Sequence, residues 1–275
     1  MILLAVSILT DSTASLPRAY AEAHGVYMVP LTISSRGEEW VDGFAGESPV
    51  VFQDKEQSFR TSQPPVAEFD KCFKAATANG NEVVAILITE GLSGTTNAAR
   101  LAREMSPAPE RVHIVDSGNT SIVTKFLVER GVEMAESGAT ATAIVTEIES
   151  LALRSNVLIA VRSLDYLHFG GRLTRAQALL GNLLQISPVV TVAKGKVVMA
   201  DKVRLFRRAL QEITRRIPET TFKLGISHMQ CPQEENDLTE MIRQRFPKLE
   251  VSKESLSPVV AAHLGPCVGI GFQWK

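Results

Sequence analysis

Four short clusters of hydroxyl, carboxylate and small residues lie along the 275-residue chain: Thr10-Asp11-Ser12-Thr13, Thr61-Ser62-Gln63-Pro64-Pro65, Gly91-Leu92-Ser93-Gly94-Thr95-Thr96 and Asp116-Ser117. Three of them follow an apolar run and one precedes a helix-period segment. Any one alone reads as helix capping, which Ser, Thr and Asp do everywhere. Together on the carboxyl-end rim of an open α/β sheet they form a ligand site. Free backbone N–H groups and helix dipoles there favour one small anion, a carboxylate or a phosphate.

Other chemistries find weaker support. GxxxxGK[ST] and GxGxxG are both absent. Gly91-Leu92-Ser93-Gly94-Thr95 falls one glycine short of the GxSxG nucleophile elbow, because Thr95 occupies the last position. With the late His263 it defines an alternative, an esterase using Ser93 and His263. A binder of a phosphorylated small molecule on the same rim is a second alternative, without a glycine-rich cradle to support it. The five histidines show no HxH or HxxxH grouping and the three cysteines no CxxC, so no metal site is expected.

The elements that must position these clusters follow from hydrophobic periodicity. Met1–Leu9, Tyr27–Ile33, Val83–Thr89 and Val112–Val115 read as buried strands. Phe69, Cys72, Phe73 and Ala76 mark one helix face, and Ile144, Ile148 and Leu151 another. Trp40–Arg60 reads as an irregular surface excursion. Beyond residue 155 the pattern changes. The short run Val157–Val161 and the segment Leu164–Phe169 precede a helix over Leu173–Leu184. A hairpin pairs Pro188–Ala193 with Val197–Val203 around Lys194-Gly195-Lys196. A helix at Leu205–Ile217, a strand at Phe222–Ser227, a helix at Glu234–Phe246, a strand at Leu249–Leu256 and a terminal pair near Val259–His263 and Gly269–Phe272 complete the chain. The expected fold is α/β with two domains. Residues 1–158 form a mostly parallel sheet with flanking helices, and residues 159–275 form an α/β unit with a mixed sheet.

Composition excludes several classes. Hydrophobic residues make up 45% and charged residues 21%, enough for a sizeable core. A net charge of −1 leaves no basic field for nucleic acid. Three scattered cysteines fit a reducing cytoplasm. The apolar N-terminus lacks a Lys/Arg start and a small-residue cleavage site, so it reads as a strand rather than a signal segment.

The ordered motifs resemble the DegV family of fatty-acid-binding proteins. The matching pieces are Thr10-Asp11-Ser12-Thr13-Ala14-Ser15-Leu16-Pro17, Thr61-Ser62-Gln63-Pro64, Gly91-Leu92-Ser93-Gly94-Thr95, Val115-Asp116-Ser117, Leu164-Asp165-Tyr166-Leu167 with Gly170-Gly171-Arg172, Ile186-Ser187-Pro188, Val203-Arg204 and His263-Leu264-Gly265-Pro266. Cys267 stands where the family usually has glycine, and Pro65 where a small polar residue is commoner. The resemblance implies a non-catalytic protein holding one long-chain fatty acid, such as palmitate or oleate, in a tunnel between its domains. It needs no cofactor, and in some bacteria it presents the acid to a separate fatty-acid kinase. The family's carboxylate-binding hydroxyls fall on Thr61 and Ser93, with backbone N–H groups near Ser62 and Gly94 in support. His263 and Arg204 are expected as further polar contacts, and Arg172 as part of a partner-docking surface. Lipid delivery is also compatible with transient contact with a membrane surface.

Overall fold

The computed structural model describes residues 5–45, 59–173 and 186–275. The first half contains β1 (Val6–Asp11), α1 (Arg18–Ala23), β2 (Tyr27–Val29), β3 (Leu31–Ser35), β4 (Glu38–Asp42), β5 (Arg60–Ser62), α2 (Val66–Ala76), β6 (Glu82–Leu87), α3 (Thr95–Met105), β7 (Val112–Asp116), α4 (Ile122–Glu136) and α5 (Ala141–Ala152). The second contains β8 (Ser155–Val161), α6 (Asp165–Phe169), β9 (Ser187–Ala193), β10 (Lys196–Val203), α7 (Phe206–Arg216), β11 (Thr221–Met229), α8 (Pro232–Arg245), β12 (Val251–Lys253), α9 (Pro258–Leu264) and β13 (Cys267–Trp274).

The fold is a two-part α/β structure. Strands β2-β1-β6-β7 form a wholly parallel sheet. Alternation along β6 explains its cover on both faces. Val83, Ala85 and Leu87 pack with Phe69 and Phe73 of α2 and with Ala98 and Ala102 of α3. Val84 and Ile86 pack with Leu127 of α4 and Ile144 and Ile148 of α5. A strand buried on both faces has no polar position, hence its unbroken apolar run. The second sheet is mixed, in the order β10-β9-β8-β13-β11-β12, with β11–β12 its parallel pair. Leu158, Leu224, Val268 and Ile270 meet α7 and α8 on one face. The other face turns toward the first sheet.

Several expectations need correction. Tyr27–Ile33 is two strands, because Pro30 has no N–H to continue a ladder. β2 stays in the parallel sheet, while β3 joins β4 and β5 in a small antiparallel sheet. The supposed excursion from Trp40 to Arg60 therefore begins and ends in paired strands, and its middle (46–58) lies outside the described residues. Most of the expected helix Leu173–Leu184 also lies outside them. Val259–His263 is helical rather than extended: Pro258 opens α9 and Ser257 caps it. A boundary at 158/159 would cut β8, whose whole length pairs with β13, so the sheets change over at 153–154 instead.

Two devices lock the parts together. Gly225 of β11 pairs with Gly271 of β13, opening a notch in the mixed sheet. Ile122 and Phe126 of α4 fill it, and a Cβ on Gly271 would stand 2.6 Å from Ile122 Cβ and 3.3 Å from the Val123 nitrogen. Lys223 reinforces the seat, 2.7 Å from Glu129 and 4.5 Å above the Phe126 ring. The second device is buried Asp42 of β4, whose Oδ2 accepts from Ser12 Oγ at 2.9 Å and from Ser257 Oγ at 2.6 Å. Ser12 Oγ also accepts from the Leu31 N–H at 3.0 Å. One carboxyl thus ties the end of β1, the small sheet and the start of α9. Burial pushes its pKa up to about 6; the two serine hydrogen bonds pull it down, and the nearby Asp11 charge adds to the rise.

Two predictions follow from these locks. Gly271→Val should lower stability by about 1–3 kcal/mol through overpacking against α4, measured by urea unfolding. Because the folded pKa of Asp42 exceeds the ordinary aspartate value of 3.8, the native state holds a proton that the unfolded chain releases. Its contribution to stability is therefore full below about pH 4 and lost as pH rises through about 6. Asp42→Asn should flatten that part of the stability–pH curve, read from melting temperatures across pH 4–7.

Candidate functional site

The gap between the parallel sheet and the mixed sheet is not filled. It holds an apolar cavity of about 900 Å³, part of it open to solvent. Val157, Ile159, Val190 and Val192 of the mixed sheet line it, as do Leu31 and Ile88 from the first half. Polar groups interrupt this wall at Thr61, Ser93, Thr120, Ser121, Arg172 and His263.

Each polar group is placed by a different element. Thr61 sits on β5, paired with Ile33 of β3. Its Oγ1 shares a 2.8 Å hydrogen bond with Nε2 of His263, carried in by α9. Burial, helped by the Arg172 charge, pulls the His263 pKa down to about 4, so the imidazole is neutral at physiological pH. Its Nδ1 is buried without a partner, against Gly170, where a Cβ would come within 2.2 Å of it.

Ser93 lies in the turn between β6 and α3, as the sheet-rim rule expects. Its Oγ shares a 2.8 Å hydrogen bond with Thr95 Oγ1. The turn is braced on several sides. Asp116 Oδ2 accepts from Thr89 Oγ1 at 3.2 Å and from the Glu90 N–H at 3.1 Å. The buried Asp11 carboxylate accepts from the Ile88 N–H at 2.7 Å. Gly91 meets the β9–β10 hairpin so closely that a Cβ would lie 2.0 Å from the Gly195 carbonyl oxygen. The first and fourth clusters therefore act as braces that hold Ser93 in place.

Arg172 is half-buried in the wall. Its Nε donates to the Leu92 carbonyl at 3.1 Å and an Nη to the Gly170 carbonyl at 2.6 Å. Desolvation lowers its pKa from the usual arginine value. A guanidinium bonded to two carbonyls and facing a cavity is not a free docking side chain.

The structure thus brings together Thr61, Ser93, His263 and Arg172. It does not bring in the other three expected residues. Ser62 is exposed at the end of β5, Gly94 supports the Gln63 side chain at the start of α3, and Arg204 is exposed in the turn between β10 and α7; none lines the cavity. Thr120 and Ser121 were not singled out from sequence. They follow Asp116-Ser117 in the loop after β7, so the same rim rule, carried four residues further, would have reached them.

The arrangement suits binding better than hydrolysis. A serine nucleophile needs a base on its hydroxyl and an orienting group on that base. Ser93 bonds Thr95, His263 bonds Thr61, and Nδ1 of His263 has no orienting carboxylate. Among the described residues of the wall, Arg172 is the one cation, which favours a single acidic group over a polyphosphate.

The chain is 32% identical over 269 residues to a DegV domain-containing protein of Streptomyces coelicolor, covering 95% of each chain. Its fold superposes on a fatty acid binding DegV family protein from Streptococcus agalactiae with a TM-score of 0.88 at 26% identity, covering 99% of both chains. A DegV family protein from Thermus thermophilus, described for its fatty acid binding, matches with a TM-score of 0.85 at 28% identity over 99% of this chain and 100% of that one. The family model for uncharacterised proteins of the DegV family matches residues 5–275, and the chain belongs to that family.

Proposed function

We propose that this protein binds one long-chain fatty acid in the cavity between its sheets and carries it without transforming it. The observation that supports this most is the cavity itself: an apolar gap, partly open to solvent, with hydroxyls, a neutral imidazole and, among the described residues, one guanidinium along part of its wall.

Affinity and orientation come from different atoms in this reading. At about 0.8 kcal/mol per buried CH₂, some 14 methylenes offer about 11 kcal/mol before ordering costs. The carboxylate accepts from Thr61 Oγ1 and Ser93 Oγ, with Arg172 supplying the balancing charge nearby. Both hydroxyls have side-chain partners that can accept as well as donate, so each can turn its proton toward the acid. Neutral His263 does this for Thr61 and adds no second positive charge. A head group held chiefly by hydroxyls suits a carrier that presents its acid to a separate kinase, since fewer ionic contacts must break on transfer. Palmitate- and oleate-sized acids fit this reading.

Denaturing extraction of the purified protein followed by lipid mass spectrometry should return C16–C18 acids in near-stoichiometric amount; a folded protein free of lipid that takes up none on addition refutes the proposal. Ser93→Ala and Thr61→Val should keep the lipid but move its head group, seen as a changed carboxyl ¹³C shift of bound labelled palmitate. Loss of all lipid from a folded Ser93→Ala protein would show that the hydroxyl, not the tail, supplies the affinity. Arg172→Met should raise the His263 pKa from about 4, yet leave it below the ordinary 6.5 because burial persists. An NMR titration of the imidazole reads both limits.

A further inference from the structure

On a different element from Thr61 and His263, the same cavity wall includes Thr120 and Ser121, at the start of the 15-residue helix α4. Both are buried, at 6% and 5% exposure. Neither hydroxyl oxygen has a hydrogen-bond partner. Nearby wall hydroxyls behave differently: Thr191 Oγ1 donates to the Val157 carbonyl at 2.7 Å, and Ser93 and Thr61 have the partners described above. A buried hydroxyl left unpaired loses its bonds to water and gains none in return. Ser121 could relieve this by capping α4, as serine before a helix ordinarily does. It does not, and its backbone is held at φ 55°, ψ −130°, outside the usual regions for a residue with a side chain.

The position is also fixed. The next residue, Ile122, is seated in the notch of Gly225 and Gly271. The loop before it is tied by the Thr89 N–H donating to the Asn119 carbonyl at 2.9 Å and by Ser117 Oγ donating to the same carbonyl at 2.9 Å. Backbone movement cannot easily supply the missing partners, whereas rotation about χ1 moves each hydroxyl among three staggered wells.

We propose that Thr120 and Ser121 form a second polar station in the cavity, which takes a hydroxyl carried on the acyl chain of the ligand. The inference rests on the fatty-acid reading above and deepens it: the ligand class becomes hydroxy fatty acids. A ligand hydroxyl both donates and accepts, as do Thr120 and Ser121, so one such group can satisfy both. A plain hydrocarbon chain leaves the two oxygens unpaired. A second carboxylate is disfavoured, because among the described residues the wall offers no cation beyond Arg172, already placed with the head group, and a buried charge without a partner is costly.

The test uses the whole protein stripped of lipid. Binding constants are measured for octadecanoic acid and for a series of C18 acids carrying one hydroxyl at successive positions. Comparison among isomers cancels the cost of taking a hydroxyl out of water. The expected result is one narrow range of positions that binds at least about tenfold tighter than the other isomers. Thr120→Val and Ser121→Ala, checked for folding by thermal melting, should each reduce that preference. Uniform affinity across the isomers, a preference unchanged in both variants, or a crystal structure with only water at both hydroxyls beside a bound hydroxy acid would overturn the station. If octadecanoic acid binds and the isomers are equal, the station alone falls. If octadecanoic acid and every isomer fail to bind, the fatty-acid reading falls with it.

Discussion

Everything about the cavity depends on how α4 is seated. Two glycines, paired across β11 and β13, remove the side chains that would otherwise hold the helix away from the mixed sheet. Ile122 and Phe126 take their place, and Lys223 with Glu129 closes over the contact. Protein interiors normally close-pack. Here the two sheets are fixed at this seat and at the Asp42 tie to α9, and the space between these locks stays open. The cavity is thus a consequence of rigid supports at its sides, not of loose packing.

Into this apolar space the fold admits few polar groups, and it supports most of them from behind. Arg172 is bonded to two carbonyls, Thr61 to His263, and Ser93 to Thr95. Asp11 and Asp116 sit one layer back and shape the turn that carries Ser93. Neither aspartate lines the cavity, and a histidine held neutral by burial adds no charge to its wall. These features fit holding an acid. They do not fit activating a serine, because the imidazole serves a different hydroxyl and has no orienting partner of its own.

The two buried aspartates show that polar groups inside this fold serve the architecture first. Asp42 joins three segments far apart in sequence, and burial raises its pKa as it does so. The helix bearing His263 is capped by Ser257, the residue that also donates to Asp42. The position of His263 is therefore coupled to a carboxyl that does not line the cavity.

Much of this was legible from residue order. Apolar runs such as Val83–Thr89 marked strands covered on both faces, and the spacing of Phe69, Phe73 and Ala76 marked α2, because periodicity is set locally by the backbone. Clusters after the strands marked the rim, and Thr61 and Ser93 do line the cavity. Sequence alone did not show that Tyr27–Ile33 divides between two sheets, or that Val259–His263 is a helix. It did not separate Asp11 and Asp116, which brace, from Ser93, which faces the gap. Nor did it place Arg172 in the wall, Arg204 outside it, or Thr120 and Ser121 unpartnered within it. Local pattern fixes which residues can form a strand, a cap or a turn. Which side chains end up facing one another is settled only when distant segments pack, and a hydrogen bond such as Thr61 to His263 spans 202 residues of chain.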